Sequence, residues 1–558
     1  MAGRTPGIRK WAPVAAVVLL ASGAYVAMAY VTGVMGIPTD DDWAYSRIER
    51  TFYATGHLHL IGWNEVSLIG QLFWTLPFMA VFGASLEVLH WSNILAGAIG
   101  LFASYSVFRH FLRAGPALLG TALLALVPTY GYFAVTYMTD TVGFAAQMVC
   151  LALGLSALES RGSRRRVLLL CSVAAGLFGF TVRETAILAP VAVLASHLMV
   201  ARRDERRTVA VIGAGLVALA AAFLVWRRAL PGSSSYSTQL EPTSVSHVAV
   251  VVGQAYFLLA FSLLPGLIAS ARIRSKGVMA IGTGCAMLAA AVVVIHQHRH
   301  GTSLDLTYPV QYFWARSGAD LYGGVDALKP VFLPNALWAV TTAMILAGGI
   351  LLANALADAA KGWRTFDSGI RLIATFGLLY AAILPVRIAQ NAPVDQRHLL
   401  PLAVPLLVLA LWHVRSLRSL TGRLAFATAG LVGILVAFSV LNAKYFDSRQ
   451  WSLGKDAVIL GTRPQAVNAG FAWAGLYSPR ISTRFPNNDP LGRGWKKPMP
   501  WYGRLFPDSG NCMLVSRSRL DQRALEPVAV RTYMLLPGVE RRVWLYRNAR
   551  ACDTADTR

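Results

Sequence analysis

Three consecutive carboxylates, Asp40, Asp41 and Asp42, form the first group of residues whose types and spacing indicate chemistry. They follow closely on the uncharged stretch 11–34. A carboxylate can accept the proton of a hydroxyl group while that hydroxyl attacks an electrophile. The alternative is structural, because an aspartate at Asp42 is favoured as the N-cap of the amphipathic helix that follows from Trp43. A cap accounts for one aspartate, so the other two need another reason.

A second set of ionisable residues falls in loops that we place on the same side of a membrane. Guanidinium groups bind phosphate through paired hydrogen bonds, and ionisable residues at a membrane face are costly enough to indicate function. Each has a structural alternative: Asp140 as a solvated loop residue, and Arg183 with Glu184 as a neutral pair. Arg227 and Arg228 could instead extend to the headgroups. The set comprises Asp140, Arg183, Glu184, Arg227, Arg228, Arg387, Asp395, Arg397 and His398.

The composition predicts an integral membrane protein. Of the 558 residues, 55% are hydrophobic and 14% are charged, whereas a soluble domain has about 25% charged residues. Many apolar runs reach the roughly 20 residues that a helix needs to cross a bilayer. The net charge is +24, but the basic residues lie in short clusters between apolar runs, as in cytoplasmic loops. We therefore expect membrane lipids, and no nucleic acid, as partners.

Placing the basic clusters in the cytoplasm predicts about thirteen transmembrane helices and a cytoplasmic N-terminus. If the apolar stretch 66–83 also crossed the membrane, the basic clusters that follow it would face the outside. We therefore expect this stretch to lie on or dip into the outer leaflet. The predicted fold is an all-α membrane module over 1–442, with outer loops 36–87 and 297–335. Residues 443–558 form a small extracytoplasmic C-terminal domain, α+β or β-rich. The predicted compartment is the bacterial plasma membrane.

The cysteines give one structural prediction. Cys512 and Cys552 are the two that we place outside the cytoplasm, where disulfides can form, and they flank β-like runs such as 542–547. We predict a disulfide between them, with two free thiols as the alternative. A bridge that closes a loop of this size stabilises a domain by roughly 3–4 kcal/mol on the chain-entropy view.

These features resemble the GT-C superfamily of polytopic glycosyltransferases, in particular its protein O-mannosyltransferase and aminoarabinose transferase (glycosyltransferase family 39-like) branch. That branch has an acidic pair followed by a tyrosine in the first outer loop, an outer helix that ends in Phe-Gly, a span that ends in basic residues, and later Thr-Asp and Arg-Tyr motifs. The matching residues are Asp41–Tyr45, Gly56, Phe82–Gly83, Arg109 and Arg113, Thr139–Asp140 and Arg397–Pro401. The chain departs from the branch at His398, in place of tyrosine, and at Trp63-Asn64-Glu65, in place of a proline pair.

The resemblance implies an inverting transfer of a sugar from a polyprenyl-phosphate donor to an extracytoplasmic glycan, lipid or protein. Asp41 is then the catalytic carboxylate, supported by Asp42 and Asp140. A lipid phosphate is a good leaving group, so no metal is required; a divalent cation, Mg²⁺ or Mn²⁺, held by Asp41 and Asp140 is the alternative. The expected phosphate-binding residues are Arg183, Arg397, Arg227 and Arg387, and the expected acceptor or sugar pocket comprises Tyr45, Trp63, Glu65 and His398.

Two other functions remain open at this point. The first is a transporter or flippase of lipid-linked glycans, although the sequence shows no inverted repeat or paired broken helices. The second is a non-catalytic membrane scaffold. The position of the first-loop aspartates distinguishes them, because in an enzyme they meet the arginines around one outer cavity, whereas in a scaffold they face solvent separately.

Overall fold

The computed structural model describes residues 11–552 apart from several internal segments. Glu65, Asp395 and most of the predicted outer loop 297–335 lie outside the described residues. The internal segments that are not described are 64–65, 233–243, 272–275, 300–305, 308–334, 363–365, 390–395, 413, 415–416, 418, 482–504, 507–508, 517–524, 537–538 and 550.

The described chain is mainly helical. The helices of its first half are α1 Ala12–Thr32, α2 Asp42–Thr55, α3 Ile69–Phe82, α4 Leu86–Phe111, α5 Ala114–Ala125, α6 Pro128–Phe133, α7 Thr139–Leu158, α8 Gly162–Val182, α9 Leu188–Val200 and α10 Arg203–Arg228. Those of its second half are α11 Val245–Ser262, α12 Leu264–Ala269, α13 Lys276–Arg299, α14 Asn335–Gly362, α15 Ser368–Ala389, α16 Leu400–Leu411, α17 Leu420–Ile459 and α18 Phe471–Tyr477.

Ten helices of the described chain are long and apolar enough to cross a membrane, namely α1, α4, α7, α8, α10, α11, α13, α14, α15 and α17. The prediction of a polytopic, all-α membrane module is therefore confirmed. The three remaining predicted spans, 114–133, 185–200 and 399–414, coincide with shorter apolar helices. The count of thirteen stays a prediction.

The short helices have local causes. α5 ends at Ala125 and α6 begins at Pro128, whose ring nitrogen has no hydrogen to donate to the preceding turn. The carbonyl of Ala125, at the end of α5, accepts a hydrogen bond from the Tyr25 hydroxyl at 2.6 Å. α3 has 14 residues and is about 21 Å long. It is shorter than the roughly 30 Å hydrocarbon core of a bilayer, but so are α5, α9 and α16, which fall in predicted spans. The position of 66–83 in the outer leaflet stays a prediction.

The bundle has two ends that carry different side chains. α4 begins beside the first-loop aspartates, with His90 in its second turn, and ends with His110 in its last turn. Its 26 residues separate these histidines by about 30 Å. We call the end near Asp42 the first-loop end and the end near His110 the opposite end. α8 runs the other way, from Arg165 at the opposite end to Arg183 at the first-loop end.

The amphipathic helix α2 lies across the first-loop end. Trp43, Tyr45 and Ile48 are on its buried face, whereas Tyr53 is exposed. The helix stops at Thr55 because Gly56 has a φ of 70°, a conformation that costs glycine little.

The C-terminal part forms a small sheet on the extension of α17. The strands β1 Val467–Asn468, β2 Met513–Ser516, β3 Leu525–Leu536 and β4 Val539–Asn548 have the order β1-β2-β4-β3. β1 pairs with β2 in parallel, and the other pairs are antiparallel. The predicted small sheet-containing domain is confirmed, and the predicted strand 542–547 lies within β4.

The C-terminal domain is continuous with the bundle through α17 and has an internal disulfide. α17 is 40 residues long and continuous through the predicted boundary at residue 442, so the domain begins on an extended membrane helix. A disulfide joins Cys512 to Cys552, which is the predicted pairing. From residue 443 onward the chain has 19 Lys and Arg against 9 Asp and Glu, so the domain is basic.

Candidate active site

The three first-loop aspartates have different environments. Asp40 adopts a φ of 54°, a left-handed conformation that aspartate tolerates better than most residues. Asp41 precedes the first helical residue of α2, and its side chain makes no capping hydrogen bond. The expectation that Asp42 caps the helix is wrong, because Asp42 is already helical and its carboxylate turns back towards the loop.

Asp42 is fully buried. Its Oδ2 accepts hydrogen bonds from the Thr39 N–H at 3.3 Å and the Thr39 hydroxyl at 3.4 Å, and lies 3.2 Å from His90 Nε2. The Gly36 N–H donates to His90 Nδ1 at 3.4 Å, which assigns the ring proton to Nε2, facing Asp42. Asp42 therefore holds the turn in place. His90 was not identified from the sequence, where a histidine within an apolar run was its one signal.

Asp41 differs from Asp42 in its partners and in its exposure. Its Oδ1 accepts a hydrogen bond from the Trp63 indole N–H at 2.7 Å, and its Oδ2 lies 3.8 Å from Arg397 Nη1. Arg397 Nη1 is also 3.5 Å from Asp40 Oδ2. The side chain of Asp41 keeps 15% of its surface exposed, whereas Asp42 keeps none. Asp40 and Asp41 thus both lie beside one arginine, Arg397.

A second ion pair lies next to this group. Arg183 Nη1 is 2.6 Å from Asp140 Oδ1, and both side chains are nearly buried. The guanidinium is within electrostatic range of Arg397 and Tyr45. Arg183 therefore pairs with Asp140, and the predicted neutral pair with Glu184 is wrong, because Glu184 accepts a hydrogen bond from Ser67 at 2.8 Å.

Of the other predicted site residues, Arg387 and His398 lie near α15 and α16, and Arg227 contacts the loop before α3. Arg387, near the end of α15, interacts with Tyr380, which also interacts with Arg183 and Asp140. His398 is buried in the turn before α16. Arg227 belongs to the last turn of α10. Its Nη2 donates to the Val66 carbonyl at 2.5 Å and its Nε to the Ser67 carbonyl at 3.3 Å, in the loop before α3.

Lys444 and its neighbours form a cluster that the sequence did not identify. Lys444 is 1% exposed, and its Nζ lies 4.0 Å from the centroid of the Tyr132 ring. The Tyr132 hydroxyl donates to Asp447 at 3.0 Å, and Lys444 interacts electrostatically with Asp447 and Asp42. These residues connect α17 to the acidic turn. The available signal was a lysine and an aspartate directly after an apolar run.

A further buried carboxylate lies on the inner side of α2. Glu49 is 0% exposed, and its Oε2 accepts a hydrogen bond from the Tyr137 hydroxyl at 3.2 Å. Burial raises the pKa of Glu49 from its ordinary value of 4.5 to about 8, against hydrogen bonds from Thr75 and Tyr137 that lower it. Glu49 is therefore protonated in the folded protein at neutral pH.

The described residues contain no group of three or more His, Cys, Asp or Glu side chains with metal-ligand geometry. Asp140 has Arg183 as its partner, and Asp41 has Trp63. A cation shared by Asp41 and Asp140 therefore stays a prediction.

One family of known proteins matches part of the chain in sequence. Residues 71–226 match the family model described as dolichyl-phosphate-mannose-protein mannosyltransferase. This segment includes Asp140, Arg183 and the basic end of α4, so the resemblance to GT-C membrane glycosyltransferases is confirmed there. No curated protein matches the chain in sequence.

Two groups of solved structures are similar in fold. ArnT from Cupriavidus metallidurans, bound to undecaprenyl phosphate, is 14% identical, with a TM-score of 0.40 over 95% of this chain and 97% of that one. The archaeal oligosaccharyltransferase AglB from Archaeoglobus fulgidus, in complex with an inhibitory peptide and a dolichol-phosphate, is 12% identical. Its TM-score is 0.38, over 89% of this chain and 63% of that one.

Proposed function

We propose that the protein is a membrane glycosyltransferase that moves a sugar from a polyprenyl-phosphate donor to a hydroxyl acceptor on the extracytoplasmic face. The observation that carries this proposal is the position of Asp41, which is partly exposed, bound by Trp63 and adjacent to Arg397. The family matched by residues 71–226 is named for a dolichyl-phosphate sugar donor, which supports the donor class. The face, the sugar and the acceptor are part of the proposal.

The proposed reaction is a single displacement. The acceptor oxygen attacks the anomeric carbon of the donor and forms the new glycosidic bond, while Asp41 takes the hydroxyl proton. The bond between the anomeric carbon and the phosphate oxygen breaks, and the polyprenyl phosphate leaves with the electron pair. One attack from the side opposite the leaving group inverts the configuration at that carbon.

The cations of the site have separate roles in this proposal. Arg397 lies beside Asp41 and has part of its side chain exposed, so we assign it to the donor phosphate, which a planar guanidinium binds with two parallel hydrogen bonds. Arg183 is nearly buried against Asp140. It adds positive potential behind Arg397 and fixes the carboxylate of Asp140. Arg387 extends the same positive region through Tyr380.

The transporter alternative is less well supported. The ionisable residues of the site collect at one end of the bundle, as the pairs of Asp41, Asp42 and Asp140 show. A transport path needs such groups at membrane depth as well.

An assay of the purified protein with a panel of radiolabelled polyprenyl-phosphate sugars tests the proposal. Transfer to an acceptor from the membrane extract is expected for one donor, with inversion at the anomeric carbon. Asp41→Asn should lower the rate by about 10²–10⁴, the usual contribution of a general base. The matched control is Glu159→Gln, an exposed carboxylate at the opposite end. An Asp41→Asn rate within a factor of two of wild type would remove the proposed mechanism.

A further inference from the structure

Trp63 has a specific contact with the proposed base. It lies in the loop between α2 and α3, and it is 7% exposed. Its indole N–H donates to Asp41 Oδ1 at 2.7 Å, which is short for a nitrogen donor and typical of a charged acceptor. A donor in this position favours the ionised carboxylate and restricts its rotation.

The ring of Trp63 is held by the C-terminal domain. Phe471, the first residue of α18, packs edge-on against Trp63 with ring centroids 5.7 Å apart, and against Trp43 with centroids 5.8 Å apart. Phe506 contacts both Trp43 and Phe471, at 5.3 Å and 5.8 Å. We call Trp43, Trp63, Phe471 and Phe506 the aromatic clamp. Edge-on packing at these distances is favourable and directional.

The contact between α18 and α2 leaves no space for a displaced ring. A Cβ atom at Gly475 of α18 would lie 2.3 Å from the Trp43 ring, far inside van der Waals contact. Arg47 of α2 also donates to the Ser478 carbonyl at 3.1 Å. The C-terminal domain is thus fixed against the acidic turn on both sides of the clamp.

We propose that the C-terminal domain completes the reaction centre by holding Trp63 against Asp41 through the aromatic clamp, with Trp63 and Phe471 as positioning residues. This rests on the proposed function, because it takes Asp41 as the base. It gives the C-terminal domain a part in positioning the proposed base. A base that must meet an acceptor hydroxyl in one geometry loses rate when its carboxylate rotates.

The first test measures the protonation of Asp41 without substrate. Infrared difference spectra of the full chain in detergent, recorded over a pH series, contain a protonated-carboxyl band for Asp41, identified by its loss in Asp41→Asn. In Trp63→Phe, this band should appear at a pH about one to two units higher, the equivalent of one charge-assisted hydrogen bond. Trp74→Phe is the matched control, because the Trp74 indole donates to the Ser92 carbonyl at 3.2 Å.

The second test concerns the clamp. Phe471→Leu keeps an apolar side chain but removes the ring that packs on Trp63, so the Asp41 band should shift in the same direction by a smaller amount. Phe471→Tyr keeps the ring and should leave the band at its wild-type position. Thermal unfolding of each variant in the same detergent excludes a loss of fold as the cause.

Three outcomes overturn the inference in whole or in part. If Trp63→Phe and Trp74→Phe give the same titration, the indole of Trp63 does not set the state of Asp41. If Trp63→Phe shifts the band but Phe471→Leu does not, the C-terminal domain has no part in it. If Asp41→Asn retains full transfer activity, the proposed function fails, whatever the infrared titration shows.

Discussion

α8 carries an arginine–carboxylate pair at each of its ends, with the same distance and different surroundings. Arg183 and Asp140 are 2.6 Å apart at the first-loop end, with side chains 10% and 6% exposed. Arg165 and Glu205 are also 2.6 Å apart at the opposite end, with side chains 15% and 32% exposed. Distance alone therefore does not distinguish a site from a surface pair. A buried pair is costly to form and adds little net stability. Its presence therefore indicates a role other than stabilising the fold.

α4 likewise has a histidine–carboxylate pair near each of its ends. His90 and Asp42 lie 3.2 Å apart at the first-loop end, with exposures of 1% and 0%. His110 and Glu159 lie 3.0 Å apart at the opposite end, with exposures of 16% and 69%. At the first-loop end Asp42 is withdrawn from water and its Oδ2 lies within hydrogen-bonding distance of three donor groups, the Thr39 N–H, the Thr39 hydroxyl and His90. At the other end the carboxylate is partly solvated, as in the loops of an ordinary membrane protein.

The largest expected effect comes from removing Arg183, with removal of Arg165 as the comparison. Arg183→Ala leaves the carboxylate of Asp140 buried without its cation, and one partner lost from a buried pair costs about 3–5 kcal/mol. Arg165→Ala should cost about 1 kcal/mol or less, because Glu205 is partly solvated. Thermal unfolding of both variants in one detergent measures the difference. Equal losses of stability would mean that the two ends do not differ as their burial indicates.

The parts of the fold that depend on the local pattern of hydropathy and charge could be predicted from the sequence. Apolar run length and basic clusters predicted the helical membrane module. The pairing of Cys512 with Cys552 followed from their position in a polar segment. Residues 114–133 were predicted as one span because hydropathy does not register the break at Pro128.

The sequence identified candidate site residues that belong to loop motifs. It did not identify those whose surroundings depend on tertiary packing. Asp41, Asp140 and Arg397 were identified from their loops, and the structure brings Asp41 and Arg397 together. His90 and Lys444 were missed because each belongs to a helix that is mostly apolar, and their role depends on the neighbours that tertiary packing supplies. No spacing in the sequence places Lys444 beside Tyr132.

The second effect concerns the histidines. His90→Leu removes the donor to Asp42 and leaves a buried carboxylate with one fewer hydrogen bond, a loss of about 1–3 kcal/mol. We expect transfer to fall about tenfold, because the acidic turn also carries Asp41. His110→Leu, at the exposed pair, should leave transfer unchanged. Initial rates of the two variants under identical conditions measure this, and a matching loss in His110→Leu would show that the effect is general.

Glu49 differs from the other buried carboxylates at the first-loop end. Its replacement is expected to have the smallest effect on activity at neutral pH. It is buried like Asp42 and Asp140 but, among the residues that the structure describes, it takes part in no ion pair. Its partner is the Tyr137 hydroxyl. Burial raises the pKa of Glu49 to about 8, so at pH 7 the folded protein holds a proton that the unfolded chain has released.

The sign of the resulting pH dependence follows from this raised pKa. The contribution of Glu49 to stability is fully present below its ordinary value of 4.5, declines as the pH rises, and is lost above about 8. Glu49→Gln has the shape of the protonated acid, so it should keep activity at pH 7 and remove this slope between pH 5 and 9. Glu159→Gln, at an exposed carboxylate, should keep it. Melting temperatures measured across that range compare the three proteins, and parallel curves for Glu49→Gln and wild type would show that Glu49 is ionised in the fold.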